Sequence, residues 1–211
     1  MYPASGIPEA YPMRDVVTLL YNDFETLDVF GPIEVLGRVP EQFSPQFYSL
    51  ASGIITSSQN VPVMTRALSE LKSTGYILFI PGGNGARAMV NDEAFVTAIR
   101  SLTGNAGFIL TVCTGSILLA RAGILEGRNA TSNKRVFAWT QSAPGVHWIK
   151  KARWVKDGNI YTSSGVSAGI DMALGFVSDL LGHPVAERVS REIEYGWNED
   201  PQNDPFSELY P

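Results

Sequence analysis

The chain has one cysteine, Cys113, in 211 residues. An internal disulfide framework, a C-x-x-C redox pair and a multi-cysteine zinc site are therefore excluded. There are two histidines, His147 and His183. They leave little for a histidine-based metal cluster and limit any Ser-His or Cys-His pair to those positions. No Lys/Arg cluster stands against a net charge of −5, so a nucleic-acid partner is not expected. No G-x-G-x-x-G opens a helix and no G-x-x-x-x-G-K-[ST] occurs, so neither nucleotide fingerprint is present. The longest apolar runs are strand-length, far below the ~20 residues of a spanning helix. The N-terminal stretch lacks a charged start followed by an apolar run, so it does not read as a signal peptide. A lone cysteine fits a reducing compartment, and a cytoplasmic location is the expectation.

What is present is the mix of a globular protein: 45% hydrophobic and 18% charged residues, in a chain long enough to bury one full core. Short apolar runs alternate with helical patterns. Residues 16–21, 76–80 and 107–112 read as buried strands, with weaker strands at 46–50 and 61–64. Gly31-Pro32 predicts a helix start running to residue 39. Asp92 reads as the N-cap of a helix to about residue 102. A helix over 116–122 ends at Gly123. Asp157-Gly158-Asn159 is a hairpin signal between 152–155 and 160–162. Ser167 reads as the cap of an apolar helix to residue 181, and His183 as the cap of another reaching about residue 195. His147 reads as a surface or structural residue. Continuous apolar strands separated by helices predict an α/β three-layer sandwich, a mostly parallel sheet covered on both faces. The expected organisation is an irregular arm at 1–14, one domain at 15–206 and a tail at 207–211.

Cys113 carries the sharpest chemical signal. It sits in V-C-T-G-S, where an apolar strand turns into a helix. That junction lies at the carboxyl edge of a parallel sheet, where ligands bind in open α/β folds. Backbone N–H groups at the helix start favour a thiolate, so the thiol is expected to ionise below its ~8.5 reference value. Gly82 and Gly83 follow the strand at 76–80, and their N–H groups are candidate oxyanion donors. Asp28, just past the first strand, would face the same edge as Cys113. Glu25 and Glu34 compete with it as nearby acids.

Three segments together, P-G-G-N-G at 81–85, V-C-T-G-S at 112–116 and S-G-V-S-A-G-I-D at 164–171, resemble the ThiJ/PfpI (DJ-1) superfamily. T-L-D-V-F-G-P-I-E-V-L at 26–36 and E-Y…D-P-Q-N-D-P-F near the end look like its isocyanide hydratase branch. The resemblance spans roughly residues 15 to 206. It implies a class I glutamine amidotransferase-like fold with Cys113 as elbow nucleophile and Asp28 as the acid beside it. It also implies Gly83 and Thr114 as flanking N–H donors, with no cofactor and no metal. Relatives place histidine directly after the cysteine or within the stretch matching 130–134. Here those places hold Thr114 and Asn133.

The implied activity is hydration of an isonitrile to an N-formamide through a cysteine thioimidate, a hydro-lyase reaction that needs no histidine. Two other readings use the same residues: glyoxalase-type conversion of methylglyoxal to lactate, and a redox-sensing or stress role for an oxidisable cysteine. The expected partners are a small electrophilic substrate and a second copy in a homodimer, with neither nucleic acid nor membrane.

Overall fold

The computed structural model describes residues 12–210; most of the irregular arm expected at 1–14 lies outside them. The elements follow in chain order as β1 (Arg14–Leu19), α1 (Thr26–Gly37), β2 (Phe43–Ser49), β3 (Gly53–Thr56), β4 (Pro62–Ala67) and β5 (Tyr76–Ile80). Next come α2 (Ala86–Met89), α3 (Glu93–Thr103), β6 (Ala106–Val112), α4 (Gly115–Arg121) and β7 (Asn129–Ala130). A 3-10 stretch, Lys134–Ser142, precedes β8 (His147–Trp148), β9 (Trp154–Asp157), β10 (Ile160–Ser163), α5 (Ala168–Leu181) and α6 (His183–Glu192).

Eight strands form one sheet in the order β3-β4-β2-β1-β5-β6-β10-β9. Its centre is parallel, and antiparallel hairpins, β3–β4 and β9–β10, close both edges. The central strands are apolar on both sides because successive side chains enter opposite layers. Val17, Leu78 and Ile80 pack with Phe95, Ile99 and Leu118, from α3 and α4. Their neighbours Val16, Ile77 and Phe79 pack with Leu36, Met172, Phe176 and Val189, from α1, α5 and α6. The expected three-layer α/β sandwich is the fold observed. Its parallel strands β1, β5, β6 and β10 all end on one edge, and the loops leaving them build the site.

Several local expectations are corrected. Helix α1 begins at Thr26 rather than Gly31, and Pro32 lies inside it. The buried face Asp28, Val29, Pro32, Val35, Leu36 repeats at helical spacing, and that packing outweighs the N–H that Pro32 lacks. Asp92 does cap α3, accepting the Phe95 N–H at 3.0 Å. Ser167 makes no cap hydrogen bond; its hydroxyl lies 3.4 Å from an Arg153 guanidinium nitrogen instead. The cap of α6 is Gly182, at φ +95°. His183 is therefore the first helical residue, and its ring stacks on Trp197 and contacts Glu199 at 3.0 Å. Helix α6 stops at Glu192. Strand β3 is missing from the sequence reading because it is four residues long and carries an exposed Ile54. No helix among the described residues is long and apolar enough to cross a membrane.

Candidate active site

Cys113 follows β6 directly and holds φ +59°, a left-handed conformation that costs a non-glycine residue about 1–3 kcal/mol. The surroundings hold it there. Its N–H donates to Ser163 O at 3.1 Å. Its carbonyl accepts the hydroxyls of Ser116 and Ser132, both at 3.0 Å. Glycine is required at two places around it. A Cβ on Gly82 would come within 2.6 Å of the Thr114 nitrogen and 2.8 Å of the Cys113 Cβ. A Cβ on Gly165 would overlap the Asn133 amide and press on the sulfur at 3.1 Å.

Asp28 reaches this edge from the first turn of α1 and is fully buried. Its Oδ2 accepts the Gly82 N–H at 3.0 Å. Its Oδ1 has no well-formed hydrogen bond; the Gly82 N–H, and to a lesser degree the Cys113 thiol, pull the acid's pKa down. That pull is outweighed by burial, the largest effect, which pushes the carboxyl well above the usual range, helped by the charge of Glu25. The thiol moves the same way, raised first by burial and then by Asp28. Hydrogen bonds from the Asn133 amide and from Thr114 oppose this without reversing it. The expectation of a lowered thiol pKa is thus overturned. The Thr114 N–H donor is present as expected, but a buried sulfur beside a carboxylate loses more in desolvation than this donor restores. Two acids share one buried site, so at most one carries the charge easily, and a single proton serves the pair.

Gly82, Gly83 and Thr114 meet at the thiol, but the two glycine N–H groups are engaged by other partners and are not the free oxyanion donors expected. The Gly82 N–H is taken by Asp28, and the Gly83 N–H donates to Thr114 Oγ1 at 3.1 Å. Of the three N–H groups, that of Thr114 is the one that hydrogen-bonds the sulfur. The Tyr21 hydroxyl donates to Pro81 O at 2.8 Å and ties the end of β1 to the same turn.

Sequence reasoning left Asn133 without a role. Its Nδ2 donates to the Cys113 sulfur at 3.0 Å, while its Oδ1 accepts the Arg135 N–H at 2.8 Å. The second contact fixes which end of the amide faces the thiol. Asn133 thus stands, with a neutral donor, where relatives were expected to place histidine. Neither histidine lines the pocket, which measures about 320 Å³ and includes Glu25, Arg87, Cys113, Asn133, Arg135 and Trp139. His147 is exposed on β8. Glu34 pairs with Arg38 on the outer face of α1. Glu25 does reach the pocket wall.

A buried charge network lies behind Asn133. Lys134 donates to Thr131 Oγ1 and Ala152 O, both at 2.7 Å. Its ammonium lies 3.8 Å from Asp204, which also faces Arg153 at 3.7 Å. Arg153 donates to Asp171 at 2.6 Å. Burial lowers the Lys134 pKa to about 8 despite Asp204. Asp171 and Asp204 stand in two of the segments that carry the resemblance, so those motifs mark bracing as well as chemistry. Among the described residues no group of three or more His, Cys, Asp or Glu side chains is placed to hold a metal.

Known proteins are similar to this chain to different extents. The isonitrile hydratase of Pseudomonas putida is 34% identical over 179 residues, covering 84% of this chain and 76% of that protein. The HTH-type transcriptional regulator CdhR of Pseudomonas aeruginosa is 29% identical over 189 residues, covering 87% of this chain but 55% of the regulator. A solved ThiJ/PfpI family protein from Pseudomonas syringae superposes with a TM-score of 0.81 at 25% identity, covering 94% of this chain and 83% of that one. The DJ-1/PfpI family model matches residues 14–179, a span that holds every residue placed around the thiol above, and the chain belongs to that family.

Proposed function

We propose that the protein is a cysteine-dependent hydratase of small isonitriles, with Cys113 as nucleophile and Asp28 as the proton carrier. One observation carries the reading: a buried carboxyl with an unengaged oxygen stands beside the thiol, and no histidine does. The likeness to the P. putida isonitrile hydratase supports it.

In this reading Asp28 accepts the thiol proton as sulfur bonds to the terminal carbon of R–NC. Asp28 then returns that proton to the same carbon, giving the thioimidate R–N=CH–S. Water adds to this carbon; one of its protons passes to nitrogen, by way of Asp28. The adduct, R–NH–CH(OH)–S, loses its hydroxyl proton as the C–S bond breaks. R–NH–CHO leaves and the proton returns to sulfur. Bonds and protons balance with no change of oxidation state. The raised pKa values suit this sequence, because the carboxyl must take a proton from the thiol near neutral pH and give it up again. Asn133 and the Thr114 N–H steady the thiolate whenever it forms.

The same facts weigh against the other two readings. A glyoxalase-type reaction would leave carbon-to-carbon proton transfer to Asp28 alone. A redox sensor favours an exposed, low-pKa thiolate, whereas burial raises this thiol. The test is steady-state turnover of an aryl isonitrile beside methylglyoxal. Formamide production that falls by about 10³ or more in Cys113→Ser and in Asp28→Ala is expected, from loss of the nucleophile and of the acid–base group. Turnover of methylglyoxal alone, or isonitrile turnover untouched in Asp28→Ala, would refute the assignment.

A further inference from the structure

The surface arginines of this acidic chain mostly have carboxylate partners. Arg38, Arg66, Arg121, Arg128, Arg188 and Arg191 each pair with one. Three exposed arginines do not, among the described residues: Arg100 donates instead to Ala122 O at 3.1 Å, while Arg87 on α2 and Arg135, two residues after Asn133, both line the Cys113 pocket. The Arg87 guanidinium lies over the Trp139 ring, 5.0 Å from its centroid. The acid on the same wall, Glu25, accepts a hydrogen bond from Gln59 at 3.2 Å. Asp28 lies buried behind the thiol, and burial raises its pKa.

This leaves two guanidiniums with free donors beside a reactive sulfur, in a pocket that suits a small molecule. An arginine stacked on an aromatic ring keeps its in-plane N–H groups available, and those groups match a carboxylate in pairs. The Trp139 face supplies a flat apolar surface next to them. Trp139 and Arg87 also line a neighbouring cavity of about 630 Å³, so the stacked pair is the partition between the two spaces.

We infer that the Cys113 pocket selects an anionic ligand. Resting on the hydratase reading, the substrate class is a small isonitrile whose substituent carries a carboxylate, held by Arg87 and Arg135 while its terminal carbon meets the sulfur. The pair acts on substrate choice and leaves the chemical steps to Cys113 and Asp28.

Two measurements separate this inference from the reading beneath it. First, kcat/KM is compared for 4-isocyanobenzoate and phenyl isocyanide at low ionic strength, where charge recognition is least screened. The carboxylate is expected to be preferred at least about tenfold, the effect of one good charge-assisted contact. Arg87→Gln with Arg135→Gln should remove that preference, and Arg87→Lys should keep part of it. Second, benzoate and benzamide binding to Cys113→Ala protein is followed by calorimetry, which needs neither turnover nor a reactive thiol. Benzoate should bind more tightly, and the double variant should erase the difference. Equal or absent binding of the two, or a preference unchanged in the double variant, overturns the inference. Turnover of neither isonitrile with the benzoate preference intact overturns the hydratase reading and leaves the anion-selecting pocket standing.

Discussion

Cys113 and Asp28 compete for the same proton in a buried site, and that competition has a stability signature. Burial raises the Asp28 pKa from 3.8, so the folded protein binds this proton more tightly than the unfolded chain. The group's contribution to stability is complete below pH 3.8 and is lost as pH rises through the folded value. Asp28→Asn keeps an acceptor for the Gly82 N–H and removes the titration. It should raise stability at neutral pH by about 1 kcal/mol while abolishing turnover, the trade-off expected where a site holds a strained charge. Denaturant midpoints at pH 4 and pH 8 check this: the gain must appear at pH 8 and shrink at pH 4. Asn133→Ala removes a donor to the sulfur, so the pH profile of Cys113 alkylation should move to higher pH. A profile unmoved by the substitution would show that the amide contact does not tune the thiol. At this scale the positions of Cys113 and Asp28 were legible, because Cys113 directly follows one apolar strand and Asp28 lies in the segment that follows another. The direction of the thiol's pKa was not. Local sequence displays the N–H donors but not the burial, which other elements supply.

Between elements, the 3-10 stretch that follows Asn133 is braced by distant acids. Lys134 and Arg153 converge on Asp204, beyond every helix and strand. Lys134 titrates near 8 in the fold against 10.5 for a free lysine. The unfolded chain thus binds more protons between those values, and stability should rise with pH across that window, by up to about 3 kcal/mol. In Lys134→Met that rise should vanish, which chemical denaturation at pH 7.5 and 10.5 reads directly. Asp171→Asn leaves Arg153 facing a neutral amide in a buried position and should cost about 3 kcal/mol. Its effect on turnover should be smaller than that of Asp28→Asn, since Asp171 braces the site from a distance. None of this network could be read from spacing: its members lie far apart in sequence, and a lone Lys or Asp reads as a solvated residue. Strand β3 and the true start of α1 were hidden for a related reason. A four-residue edge strand has too few side chains to show a period, and Pro32 signals a helix start more loudly than the packing that encloses it.

Across the whole molecule, one sheet carries both helical layers, and alternate residues of the same strands belong to opposite cores. Neither layer can open without exposing the far side of β1, β5 and β6. Thermal unfolding should therefore be a single transition, with far-UV and near-UV circular dichroism coincident. A separated near-UV loss at lower temperature would mean that one layer melts independently. The strand-helix alternation behind this architecture was plain in the sequence, because buried parallel strands leave uninterrupted apolar runs. The edge on which their loops converge follows from the same alternation. The position of Asp204 has a further consequence for how the protein is made. A ribosome releases the chain from its N-terminus, and domains fold as they emerge. Cys113 and Asp28 leave first, while the last acid that steadies Lys134, next to Asn133, is still unsynthesised. The sheet can assemble around the thiol before its bracing is complete, so the nascent protein passes through a stage with the thiol in place and its amide partner unsecured. The bracing of Lys134 is complete only once Asp204 has emerged and docked.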